Sequence, residues 1–581
     1  MKPLEAVWPR AIHAWLIGLA SFALFGWAAR RPDFYNFDEG VYAEVAREMA
    51  LTGRLMTPRC NGVPYFEKPP LVYWLSSASY RLFGYTTWAG RLPIVLLGAI
   101  GVMALYWLVT LWQDETAARC ASVCLATCFG YFIYARTLMM DVPLSALFIV
   151  AMAAFFTAWR RPRRRRPMLA ITAVTLGLAV MVKGLLGLAL PALATALAAV
   201  FSDDLRAFLK TVAGSEWLGM ATVFVAVAAP WHLIAEIRHP GAMAHYLVAG
   251  QLLRYTHGRD GLDVVPLGLG EYLGAAAAWF LPWIIFLPPA LALAVSDVRR
   301  GAPDRDLLIA ALAWTFTAIG FFSLSPSRLE YYPLPALSGM AILVGYWWSR
   351  VALPSAGARN GFAAMLVLAT LGWMAALVFT HLSITDRLYA VLNEQYRNAT
   401  DAARPSFATL MPAIVAELIA LTGAGLFGML SQRRGHKRAA FASVLALALV
   451  SSWTVHRGLE IMEPFCSVAP LARTVARLAG PDDAVVVMGP FEDTSPIAFY
   501  LRRQVMVVDG MGGDLSLGRR MEPASGRYFL DDAGLRRLWN DRSRRVFLVI
   551  ENGDPAADPP PPTPVWRLKE TPAGALYSNR P

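Results

Sequence analysis

Two short stretches hold the residues of this sequence best suited to chemistry: YNFDEGVYAEVAREM, starting at Tyr35, and PYFEKPP at 64–70. The first carries Asp38 and Glu39, the second Glu67 and Lys68, each at the entrance to an amphipathic segment beside long apolar chain. Ions this close to a bilayer are costly, and are usually paired or used. Two prolines follow Lys68 and keep it in extended backbone. A fixed cation beside fixed carboxylates at headgroup height suits a phosphorylated lipid; a structural ion pair is the competing account. Matching parts occur further on. HYLVAGQLLRYTHGRDG (245–261) supplies Arg254 and His257, SLSPSRLEYYPLP (323–335) supplies Arg328, Tyr331 and Tyr332, and Asp141 follows YARTLMM. Arginine binds phosphate through two parallel hydrogen bonds, and lysine acts as a point charge.

The elements that must position these groups are membrane spans. The chain has 581 residues, 56% hydrophobic and 16% charged, against about 25% charged in a soluble protein. Apolar runs recur through residue 455, which makes 1–455 a polytopic α-helical membrane domain. Thirteen spans are expected, from 11–29 to 439–455, including 119–136, 273–295, 332–348 and a pair, 168–182 and 184–201, split at Lys183–Gly184. The first is long enough to span and lacks a clear cleavage site, so no cleaved signal peptide is expected. With the split and the N-terminus inside, the basic loops 160–167, 298–305 and 432–438 all fall in the cytoplasm. The same parity exports the first loop 30–88, with two flat juxtamembrane helices, the polar segments 236–272 and 382–406, and the tail. Residues 456–581 read as a soluble α/β domain: DDAVVVMG, QVMVVDG and RRVFLVIENG are buried strands, with helices between and a last strand near 565–578.

With a net charge of +12, the basic residues cluster in short loops between apolar spans, which gives no reason to expect nucleic acid. Cys120, Cys124 and Cys128 lie four apart on one helix face and read as packing. Cys60 and Cys466 both fall on the exported side, where a disulfide is chemically permitted. No metal or other cofactor is required by the pattern, although Asp38, Glu39, Glu67, Asp141 and His257 include ligand types for a divalent ion, Glu67 and His257 foremost. A transporter would place ionisable residues near mid-span; here they gather at one face, with Lys183 the exception.

DEGVYAEVAREM, GVPYFEKPPLVYWL, the aspartate opening the fourth span, and FFSLSPSRLEYYPLPAL resemble the lipid A aminoarabinose transferases. These are GT-C glycosyltransferases of the protein-mannosyltransferase-like branch. The resemblance implies transfer of one sugar from undecaprenyl phosphate to a lipid A phosphate, with inversion, at the periplasmic face of a bacterial inner membrane. It implies catalytic roles for Asp38, Asp141 and Glu67, and donor-phosphate contacts from Lys68, Arg254 and Arg328. Tyr42, Tyr65, Tyr332 and Glu39 would meet the substrate, and the protein is expected to act as a monomer. The family's Asp-Glu-x-Arg-Tyr has Val41 in the arginine position, and its Lys-Leu-Pro-x-Tyr has Arg328 and Glu330. Transfer to another envelope acceptor, such as O-antigen, another glycan or a protein, is the alternative. A phosphate acceptor needs no strong base, whereas a hydroxyl acceptor would make Asp38 the general base.

Overall fold

With no water to satisfy backbone groups, apolar chain in a bilayer folds as helix. A computed structural model of the chain describes residues 7–112, 115–202, 216–258, 266–381, 407–508, 513–551 and 562–581. The expected segment 382–406, Arg259 and most of the Pro-rich run near 555–564 lie outside these. Among the described residues nine helices are long and apolar enough to cross a membrane, from Arg10–Ala28 to Lys437–Cys466. The pair Leu269–Trp279 and Trp283–Arg299, bent by 97° at its break, adds a tenth if it is a broken span rather than a re-entrant loop. Among the described residues the count of thirteen full spans is not reached. The run 119–136 breaks at Cys128 into Glu115–Thr127 and Phe129–Tyr134, while Leu186–Phe201 and Ala336–Arg350 have only 16 and 15 residues. Helices of that length rise about 22–24 Å, short of a roughly 30 Å hydrocarbon core. The split at Lys183–Gly184 is present: Arg165–Lys183 ends there, and Gly184 takes φ 65°, which a residue with a Cβ adopts at a cost.

The basic loops meet at one end of the bundle, where Arg160 pairs with Asp306 (3.0 Å), Arg350 with Asp304 (2.6 Å), and Lys437 donates to the Ser349 and Val351 carbonyls. The first loop sits with the tail. Helix Asp38–Thr52 closes on Gly53 in the left-handed region, and Leu71–Phe83 packs beside it, Arg81 donating to the Ala50 carbonyl. Between them a hairpin joins β1 (Arg59–Cys60) and β2 (Val63–Pro64). Its turn is Asn61-Gly62, both at positive φ, the pair a tight hairpin turn demands.

The last membrane helix carries past residue 455 to Cys466 before the tail begins. The tail sheet has β3 (Ala484–Met488), β4 (Met506–Val508), β5 (Phe529–Leu530), β6 (Val546–Glu551), β7 (Trp566–Thr571) and β8 (Gly574–Ser578), in the order β5-β4-β3-β6-β8-β7. The first four are parallel, and β3 is buried along its whole length, as a central parallel strand should be. The single strand expected near 565–578 is an antiparallel hairpin, β7–β8.

This domain lies on the first loop. Asn36 N–H donates to the Cys466 carbonyl (2.8 Å), Arg473 pairs with Asp33 (2.5 Å), and the Asn61 amide exchanges two hydrogen bonds with the Val505 backbone (2.8 and 2.9 Å). Helix Asp38–Thr52 is consequently buried from Glu39 to Ala50 on every side. None of the five cysteines forms a disulfide; Cys60 is buried under the domain and not bonded to Cys466.

Candidate active site

Where the first loop meets the membrane helices, a cavity of about 310 Å³ opens. Asp38, Tyr42, Lys68, Asp141, Arg254 and Tyr332 all line it, brought together from the first loop, the Asp141–Arg160 helix, the 245–257 segment and the loop before Ala336–Arg350. Asp38 opens its helix and Tyr42 stands one turn on, on the same face. The Tyr42 hydroxyl donates to Asp38 Oδ1 (3.0 Å), and Tyr331 reaches Oδ2 (3.4 Å). Burial pushes both phenols well above their usual range, so each stays protonated and keeps donating. Phe37, just before Asp38, has φ 64° and ψ −139°, a conformation that costs about 1–3 kcal/mol for a residue with a side chain. Its N–H donates to the Glu492 carbonyl (2.7 Å), and its own carbonyl accepts from Ser495 Oγ (2.9 Å).

Opposite, Lys183 Nζ donates to Asp141 Oδ1 at 2.5 Å and lies 5.1 and 5.2 Å from the ring centres of Tyr331 and Tyr332. Burial pulls the Lys68 ammonium below its ordinary value, with the Asp38 carboxylate pulling the other way and the Arg254 guanidinium adding to the depression. Arg254 follows the wide π-helical stretch His245–Leu253, a geometry often found at functional sites. Met139, Met140, Leu185, Leu186 and Phe322 make the remaining wall apolar. Cations on one side and hydrocarbon on the other can hold an anionic headgroup with its lipid tail.

Other residues expected at the site lie elsewhere. Glu39, a neighbour of Asp38, is turned about 100° away by the helix. It is spent on a buried pair with Arg91 (2.7 and 2.8 Å) and on the Leu138 N–H (2.8 Å). Tyr65 points to Asp514 (3.2 Å) and not into the cavity. Glu67 stands beside Lys68, close enough to favour its charge, without lining the cavity. Arg328 gives its guanidinium to the Leu267 and Ser325 carbonyls (2.8 and 2.6 Å), so it ties down its own loop. His257 is exposed against the Thr256 hydroxyl. The ligand set Asp38, Glu39, Glu67, Asp141 and His257 is therefore not assembled, and among the described residues no three His, Cys, Asp or Glu side chains converge. Lys183 is a cavity residue that the sequence reading left out of the site. The signal for Lys183 was an ion deep in an apolar run.

A family model described as dolichyl-phosphate-mannose-protein mannosyltransferase matches residues 67–234. An undecaprenyl phosphate-α-4-amino-4-deoxy-L-arabinose arabinosyl transferase of Sodalis glossinidius is 27% identical over 91% of this chain and 90% of its own. One from Erwinia tasmaniensis is also 27% identical, over 58% of this chain and 60% of its own length. A solved structure of ArnT from Cupriavidus metallidurans bound to undecaprenyl phosphate superposes with a TM-score of 0.79, 22% identity and 97% coverage of both chains. Its apo form gives 0.77, 23% and 98%. The resemblance to the aminoarabinose transferases is thus borne out in sequence, and the fold is the GT-C fold of a multi-span membrane protein.

Proposed function

We propose that this chain is an inverting glycosyltransferase that moves one sugar, 4-amino-4-deoxy-L-arabinose or a close relative, from undecaprenyl phosphate to a lipid A phosphate at the periplasmic face of a bacterial inner membrane. The observation that carries the reading is the convergence of Lys68, Arg254 and Asp38 in one half-apolar cavity. The transferases of Sodalis and Erwinia support it through the donor in their names.

In this reading an acceptor phosphate oxygen attacks the anomeric carbon from the face opposite the carrier. The bond from that carbon to the carrier phosphate breaks, and its electron pair leaves on undecaprenyl phosphate. Lys68 and Arg254 neutralise that charge where it develops. Asp38, fixed by Tyr42 and Tyr331, faces the sugar and stabilises positive charge growing on it. Asp141 is held by Lys183 in a paired, oriented state and serves the sugar rather than the phosphate. No step is routed through a metal. A second reading, transfer to a different envelope acceptor, is favoured by Val41, which is buried at 1% exposure where the resembled family carries an arginine.

Purified protein with the lipid-linked aminopentose and lipid A tests this. Asp38→Asn and Lys68→Ala are each expected to lower transfer at least 100-fold, of the order of one lost electrostatic contact in the transition state. Wild-type turnover in either variant sinks the site assignment. Mass spectrometry of envelope glycans from cells with and without the gene separates the two acceptors.

A further inference from the structure

The segment that carries Lys68 is pinned at successive residues, and two of the pins come from the C-terminal domain. At Pro64 the helix Ser516–Met521 comes so close that a Cβ on Gly518 would stand 1.8 Å from the Pro64 carbonyl oxygen. At Tyr65 the hydroxyl donates to Asp514 Oδ2 (3.2 Å), while the Tyr65 backbone N–H holds the Pro58 carbonyl (2.8 Å). At Phe66 the ring packs on Trp231 and His239, with centroids 6.5 and 5.1 Å away. Lys68 comes two residues later, before the rigid pair Pro69–Pro70. Asp514 is itself placed by Glu492, whose carboxylate accepts the Asp514 backbone N–H. The main-chain carbonyl of that same Glu492 holds the N–H of Phe37, the residue before Asp38. Glu492 thus holds the Asp38 turn directly and reaches the Lys68 segment through Asp514.

We propose that Asp514 is a positioning residue for the Lys68 segment, acting through the Tyr65 hydroxyl, so that the C-terminal domain sets the height of the donor-phosphate contact. The proposal rests on the reading of Lys68 as that contact. It gives Tyr65 a role other than touching substrate: 1% exposed and outside the cavity, it transmits the position of one domain to a side chain of another.

The test is the affinity of the purified full-length protein for undecaprenyl phosphate in nanodiscs. Tyr65→Phe keeps the ring and its packing and removes only the hydroxyl; Asp514→Ala removes the acceptor. Each is expected to weaken binding about tenfold, the scale of one positioning hydrogen bond. Because the two act through one bond, the double variant should bind no more weakly than either single one. Asp514→Asn, which still offers an oxygen to the Tyr65 hydroxyl, should recover most of the affinity. Wild-type affinity in Tyr65→Phe, or effects that multiply in the double variant, overturns the proposal. Lys68→Ala in the same assay separates the layers. If it loses binding while Tyr65→Phe does not, the positioning role falls and the Lys68 contact stands. If it binds as wild type, the contact itself falls.

Discussion

Lys68, read as the donor-phosphate contact, is a single side chain whose charge is set by its surroundings. Its ammonium is drawn below the ordinary lysine range by burial and by Arg254, and an arriving phosphate would pull it back. The free protein should therefore lose donor affinity as pH rises through that lowered value, earlier than an ordinary lysine would allow. In kcat/KM against pH the alkaline limb is expected below the usual lysine range, and Lys68→Arg, which does not deprotonate there, should move it upward. An unchanged limb in Lys68→Arg assigns the titration to another group. At this scale the sequence was legible where type and spacing were both unusual: Asp38, Lys68, Asp141, Arg254, Tyr42 and Tyr332 all reach the cavity. It misled at Glu39, because adjacency in sequence is divergence on a helix. Arg328 failed for another reason: nothing in its spacing says that its guanidinium closes on two carbonyls of its own surroundings.

Among the elements, the helix Asp38–Thr52 has more charge inside the protein than its pattern implied. Glu44, Arg47 and Glu48 are all buried, and Arg47 binds Glu44 through two short hydrogen bonds (2.5 and 2.6 Å). Glu48 accepts the Gly62 N–H (2.7 Å), but burial first and the Glu44 carboxylate second push its own carboxyl up to about 8. The folded protein thus keeps this proton over a range where the unfolded chain has released it. Between the ordinary carboxyl value of 4.5 and about 8, rising pH then favours unfolding. The melting temperature in detergent should decline across that window in the wild type and decline less in Glu48→Gln. Equal slopes would show that Glu48 is not the group responsible. Val41, Val45 and Met49 recur four apart and make one apolar face; what covers the opposite face is hundreds of residues away and leaves no local trace. Breaks at Cys128 and Phe280–Pro282 were equally hidden, because an apolar run looks the same whether its helix is straight or bent.

For the molecule as a whole, hydropathy and loop charge gave the class and the gathering of polar segments at one end, and the strand runs gave the tail. The docking of tail on loop rests on single contacts such as Asn61 with Val505 and lay beyond any local pattern. Sidedness can be measured directly. In a variant without the native cysteines, a membrane-impermeant maleimide should label Arg477→Cys, on the exposed tail helix, in cells with only the outer membrane opened. Arg163→Cys, in the basic loop, should label only after the inner membrane is broken. The reverse pattern would invert the proposed orientation. The hydrogen bond from Tyr65 to Asp514 joins residues 449 positions apart. A ribosome making this chain therefore finishes the lysine segment hundreds of residues before its brace. Until the tail has emerged and folded, Phe37 has nothing to hold its strained turn and Tyr65 nothing to bind. A chain truncated before Asp514 would lack that brace and, on the proposed reading of Lys68, the placement of its donor contact.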